Sequence, residues 1–138
     1  MPQKLPYYFR RFARWVFLPA LAVVIWGELK PSTQGPEGWD KVLHFTAYFG
    51  LAWLATVALA NLRRALGAGV MLAVLGGVLE IVQSFVGRDA EWGDELANVI
   101  GVCAGVAAGL LALHILGRVS GAGSRARISG GGDHAHFR

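Results

Sequence analysis

Four largely apolar runs, each near the length that crosses a bilayer, leave this chain few ways to fold. They read WVFLPALAVVIWGEL at 15–29, VLHFTAYFGLAWLATVALA at 42–60, LGAGVMLAVLGGVLEIVQSFV at 66–86 and LANVIGVCAGVAAGLLALHIL at 96–116. About 20 residues rising ~1.5 Å each span a ~30 Å hydrocarbon core. The first run reaches that length only with residues 12–14 added. Inside a bilayer no water satisfies backbone amides, so each run must close its own hydrogen bonds as a helix. Short connections favour antiparallel neighbours. The predicted fold is therefore all-α, a polytopic membrane protein built as a bundle of four transmembrane helices over residues 1–117. Charged residues make up only 16% of the 138, against roughly 25% in soluble domains.

The first run follows a basic stretch, as a secretory leader would, but it ends in Ile25-Trp26-Gly27-Glu28 with no small-x-small cleavage site. It is read as a retained anchor, with Pro19 tolerated because neighbouring helices can satisfy the freed carbonyl. Residues 118–138 are rich in Gly, Ser and Arg without apolar periodicity, and the sequence predicts a disordered tail. His134 and His136 are read as solvated, the single Cys103 forms no internal disulfide, and no metal or cofactor is assigned.

Basic residues set the orientation. Lys4, Arg10, Arg11, Arg14, Arg63, Arg64, Arg118, Arg125, Arg127 and Arg138 flank one side of the four runs, and Lys30, Lys41 and Arg88 flank the other. Ten against three predicts both termini in the cytoplasm. The pI near 9.7 is then a topology signal, and no nucleic-acid partner is expected. Trp26, Trp39 and Trp92 fall where an aromatic belt at the opposite interface belongs.

Polar residues converge at that same level. Asp40, His44 and Tyr48 recur at i, i+4, i+8 on the second helix, with Lys41 adjacent. Glu80 and Gln83 share a face near the end of the third, Asp94 and Asn98 open the fourth, and Arg88 lies in the link between them. Ionisable groups within a membrane cost ~2.5–3.5 kcal/mol each at a helix centre and usually face a bundle interior with partners. Asp94 has an alternative role as the cap of the fourth helix. Gly101, Gly105 and Gly109 form a small-residue stripe suited to close helix packing.

Taken in order, D-K-x-x-H-F-x-x-Y from Asp40, E-x-x-Q from Glu80, Arg88, and D-x-x-A-N-x-x-G from Asp94 resemble the VanZ-like membrane proteins over residues 40–109. The family's proline before the arginine is missing from Ser84-Phe85-Val86-Gly87. The resemblance implies a small integral protein of a bacterial cell envelope, in the inner membrane. The family's name comes from a protein associated with resistance to the glycopeptide teicoplanin.

Four functions fit these residues. A binding protein would hold the headgroup of a membrane lipid or lipid-linked cell-wall precursor, with Lys41, His44 and Arg88 on phosphate and Gln83 and Asn98 as neutral partners. An enzyme would use His44 as base with Asp40 or Glu80 as orienting carboxylate on a lipid or glycan. No HExxH pair or P-loop is present. The third is a polar network that only sets helix register; the fourth is a proton or ion conduit.

Overall fold

The computed structural model describes residues 4–30, 38–85 and 91–129, with side chains over 7–30, 38–85 and 91–118. Four helices follow one another: α1 Lys4–Leu29, α2 Trp39–Leu59, α3 Leu62–Gln83 and α4 Trp92–Ser129. No strand occurs among the described residues, and all four helices are long and apolar enough to cross a membrane. The chain is an all-α bundle of a multi-pass membrane protein.

Solvent polarity is inverted relative to a water-soluble bundle. Large apolar side chains such as Trp15, Leu18, Val70, Met71, Val74, Ile81 and Leu111 stand exposed on the outside. Glu28, His44, Thr56, Glu80, Gln83, Asp94 and Asn98 are buried. Lipid tails are as apolar as leucine, so this surface needs no cover, and burial is reserved for small or polar groups.

α2 lies at the centre and packs most extensively on α4. The reason is the α4 glycine stripe. A Cβ at Gly101 would sit 2.5 Å from the Phe45 carbonyl oxygen, one at Gly105 would strike the Phe49 carbonyl, and one at Gly109 would sit 2.7 Å from Thr56 Cβ. Only bare backbone allows the two helices this close. Tyr48, Leu51, Ala52, Leu72, Val102 and Val106 form the apolar middle, with Leu21 and Val24 of α1 against it. At the end where α1 begins, Ala13 packs on Val57 and Ala58, and Arg14 Nε donates to the Ala58 carbonyl at 3.1 Å.

Helix ends depart from the sequence prediction. α2, α3 and α4 each begin three or four residues earlier than the apolar runs. Asp40, Asp94 and Glu95 thereby fall within first helical turns, where the positive end of the helix dipole favours acids. A hydropathy boundary cannot register them. Asp94 consequently sits inside α4 and does not cap it. α4 also continues to Ser129, past the Arg118 boundary at which a disordered tail is predicted; no proline follows Pro36 to stop it.

Only Ala60 and Asn61 separate α2 from α3. Ala60 takes a left-handed conformation (φ 46°) and its N–H donates to the Thr56 carbonyl. Asn61 Oδ1 then accepts from Arg64 N at 3.1 Å and caps α3.

Candidate functional site

The end of α1 and α3 and the start of α2 and α4 meet around one imidazole. His44 projects from the second turn of α2 and is buried. Its Nδ1 lies 3.1 Å from Asn98 Oδ1 on α4 and 3.7 Å from Glu28 Oε1 on α1. Its Nε2 lies 3.8 Å from Glu80 Oε1 on α3 and 3.9 Å from Asp94 Oδ2 on α4. α1 and α3 thus each bring one carboxylate to the ring that α2 supplies, and α4 brings a carboxylate and a carboxamide.

A second layer holds the first. Tyr48, one turn below His44, donates its hydroxyl to Glu28 Oε2 at 3.4 Å. Gln83 Nε2 donates to the Glu28 carbonyl at 3.0 Å, tying the end of α3 to the end of α1. Asn98 Nδ2 donates to Glu95 Oε2 at 3.2 Å. Gly76 makes room for this: a Cβ there would lie 2.8 Å from Asn98 Nδ2, 2.9 Å from Glu95 Oε2 and 3.2 Å from the Tyr48 hydroxyl. At the rim Lys41 Nζ donates to Glu91 Oε2 at 2.7 Å and stands 3.9 Å from Asp94 Oδ1. The Lys41 ammonium holds the Glu91 carboxyl below the usual glutamate range.

Of the residues singled out in the sequence, the structure brings His44, Tyr48, Glu80, Gln83, Asp94 and Asn98 together, with Lys41 at the rim. Asp40 lines a cavity of about 230 Å³ between α1 and α2 with Glu28 and His44, but Asn98 and not Asp40 takes the imidazole Nδ1. Arg88 lies outside the described residues. Gly101, Gly105 and Gly109 line the α2–α4 seam below.

Three members escaped the sequence. Glu28 closes the first apolar run in the sequence, yet it is buried against His44 and Tyr48. It is the one charged residue between Arg14 and Lys30, which marks it. Glu95 shares a helix face with Asn98 at i+3, a spacing that could have flagged it. Glu91 carried no signal beyond its charge.

The balance of charge bears on what the site can hold. Among the described residues, three buried carboxylates, Glu28, Glu80 and Asp94, lie around the imidazole, and Lys41 pairs with Glu91 and Asp94 at the rim. No Ser, Thr or Cys side chain hydrogen-bonds His44 among the described residues. Thr46, Thr56 and Ser84 donate to carbonyls of their own helices. The arrangement suits holding a cation, an amine or a proton better than activating a hydroxyl nucleophile.

A groove of about 520 Å³ opens between α3 and α4 beside this cluster. Val74, Val78 and Ile81 form its apolar wall, and Glu80, Glu91 and Glu95 its polar end. A separate cavity of about 630 Å³ lies at the opposite end among Arg10, Arg11 and Arg14. The chain matches no protein-family model, no curated protein and no solved structure.

Proposed function

We propose that this chain is a VanZ-like integral membrane protein of a bacterial cell envelope that binds the polar head of a lipid or lipid-linked cell-wall precursor. One observation carries the reading: the α3–α4 groove passes from an apolar wall at Val74, Val78 and Ile81 to carboxylates at Glu80, Glu91 and Glu95. That gradient fits an amphiphile lying with its chain along the bundle and its head at the polar end. The acidic lining selects an amine-bearing head over a bare phosphate. The ten-to-three distribution of basic residues supports an orientation with both termini in the cytoplasm and the groove's polar end outward. Any link to teicoplanin or another glycopeptide follows from the family resemblance alone.

The enzymatic alternative, with His44 as base, has less support. Asn98 occupies the ring nitrogen that Asp40 would need, and the other nitrogen faces two carboxylates.

Native mass spectrometry of the protein released from bilayers of phosphatidylethanolamine and phosphatidylglycerol tests the binding reading. Preferential retention of the amine lipid, diminished by Glu95→Gln, is expected. Retention of phosphatidylglycerol alone, unchanged by Glu95→Gln and Glu80→Gln, would refute it.

A further inference from the structure

At one end of this bundle every described charged side chain is basic. The sequence has no Asp or Glu in residues 1–27, 41–79 or 96–132, and Asp133 lies outside the described residues. The described carboxylates gather where α1 and α3 finish. Where those helices start, Arg10, Arg11 and Arg14 lie along the beginning of α1, and Arg63 and Arg64 stand exposed on α3. None of the five forms a salt bridge among the described residues.

Setting the orientation asks only for basic charge at that end, on any side of a helix. The α1 arginines are arranged more narrowly. Tyr7, Arg10, Arg11, Arg14, Trp15 and Leu18 recur at helical spacing on one face, and together they line the cavity of about 630 Å³. Their donors are largely unspent. Arg14 Nε donates to the Ala58 carbonyl at 3.1 Å, which fixes that side chain beside the end of α2 and leaves both Nη groups as further donors. Arg11 Nη1 reaches the Tyr7 hydroxyl at 3.5 Å, and Arg10 Nε has no partner among the described residues.

Depth indicates the ligand. Arg14 lies ~10 Å along the apolar span Tyr7–Leu29. Headgroups fill roughly the outer 5–7 Å of each leaflet, so the arginines run from the headgroup layer to the hydrocarbon edge. Trp15 and Leu18 continue the same face inward, 72% and 67% exposed. Cations at that level, with no carboxylate on the chain to meet them, draw a counter-anion from outside it, and lipid phosphate is the anion at that depth.

We propose that this face of α1 binds an anionic phospholipid, its phosphate held by Arg10, Arg11 and Arg14 and its acyl chain lying on Trp15 and Leu18. Guanidinium and phosphate pair through two parallel hydrogen bonds, a geometry lysine does not reproduce. A zwitterionic lipid fits worse, because its ammonium meets three arginines and no carboxylate. The α3–α4 groove lies at the other end with the reverse charge, and this inference does not rest on the reading given for it.

The test is native mass spectrometry of the full chain in detergent, titrated separately with phosphatidylglycerol, phosphatidylcholine and inorganic phosphate. One phosphatidylglycerol should be retained per chain, about tenfold or more tighter than phosphatidylcholine. Arg14→Gln and Arg11→Gln should each weaken it by about tenfold or more. Arg11 bonds only to Tyr7, so its variant keeps the test if loss of the Ala58 contact unfolds Arg14→Gln. The double variant Arg63→Gln/Arg64→Gln removes two charges from the same end but not from this face, and should leave retention nearly unchanged. An equal loss in that variant would reduce the effect to diffuse attraction and overturn the site, as would phosphatidylcholine held as tightly as phosphatidylglycerol. Inorganic phosphate bound as tightly as the lipid would overturn the lipid as ligand. Glu95→Gln should leave phosphatidylglycerol retention unchanged, and Arg11→Gln should leave retention of an amine lipid unchanged, so the two readings fail separately.

Discussion

Replacing Gly101 by Ala adds one methyl group where α4 meets α2. The new Cβ would stand 2.5 Å from the Phe45 carbonyl oxygen and 3.1 Å from Phe49 N. Both are backbone atoms of a helix and cannot rotate aside. Ordinary contact begins near 3.4 Å, so α2 and α4 must part locally by about 1 Å. A gap of that size forfeits roughly a quarter to a half of each dispersion contact along the seam. Overpacking of this kind costs ~1–3 kcal/mol, set against ~1 kcal/mol gained in helix propensity. Gly67 of α3 has nothing within 4 Å of its notional Cβ, so Gly67→Ala keeps the gain without the cost. Two chemically identical substitutions should therefore shift stability in opposite directions, by up to ~2 kcal/mol down and up to ~1 kcal/mol up. Denaturant or thermal unfolding in one detergent measures both. The Phe45 contact adjoins His44, and Gly101 is three residues from Asn98. The same parting should stretch the 3.1 Å His44–Asn98 bond past hydrogen-bonding range, seen as a shifted His44 Nδ1 resonance. Equal effects of Gly101→Ala and Gly67→Ala on stability, with an unmoved His44 resonance, would refute the argument that glycine sets the separation of α2 and α4.

Other expectations are simpler. Ala60→Gly should raise stability by up to ~1 kcal/mol, because a left-handed alanine carries a strain that glycine does not; an unchanged melting point counts against it. Asn98→Ala should cost ~1–3 kcal/mol by leaving the buried His44 Nδ1–H unsatisfied, whereas Val99→Ala, on the outer face, should cost less in the same unfolding assay. Glu91 titrates below the usual glutamate range because Lys41 favours its charged form. The tie therefore stabilises the fold above the unfolded pKa and is lost as pH falls through the folded one. A carbon-detected titration should show the Glu91 midpoint rising in Lys41→Gln, and an unmoved midpoint would exclude the pairing. In a Cys103→Ala background, a cysteine at position 90 should react with an impermeant probe from outside intact cells and one at 129 should not; the reverse pattern inverts the orientation.

Hydrophobic run length suffices for the number and order of helices, because the bilayer admits few alternatives to a helix. It misplaces their starts, since Asp40, Asp94 and Glu95 belong to first turns for electrostatic reasons that hydropathy ignores. The polar convergence of His44, Glu80, Gln83, Asp94 and Asn98 is also legible, because period and chain direction bring them to one level. Glu28 is not. Whether a carboxylate near a helix end turns inward or outward depends on how α1 rotates about its axis, which is set by Phe17, Leu21 and Val24 packing on the apolar middle. The choice of Asn98 over Asp40 for the imidazole likewise depends on the α2–α4 approach, a distance no spacing rule encodes.

The link between α2 and α3 also constrains the order of events as the chain enters the membrane. Ala60 and Asn61 reach ~7 Å at most, so α2 and α3 are held side by side as an antiparallel hairpin. His44 and Glu80 therefore belong to one hairpin, and Asp94 and Asn98 follow them in the chain with α4. Until then the hairpin's polar side chains lack half of their ring and face lipid or the translocation machinery, at a cost of kilocalories per ionised group. Docking of α4 through its glycine stripe ends that exposure. The polar cluster is thus complete only once α4 has docked on the hairpin.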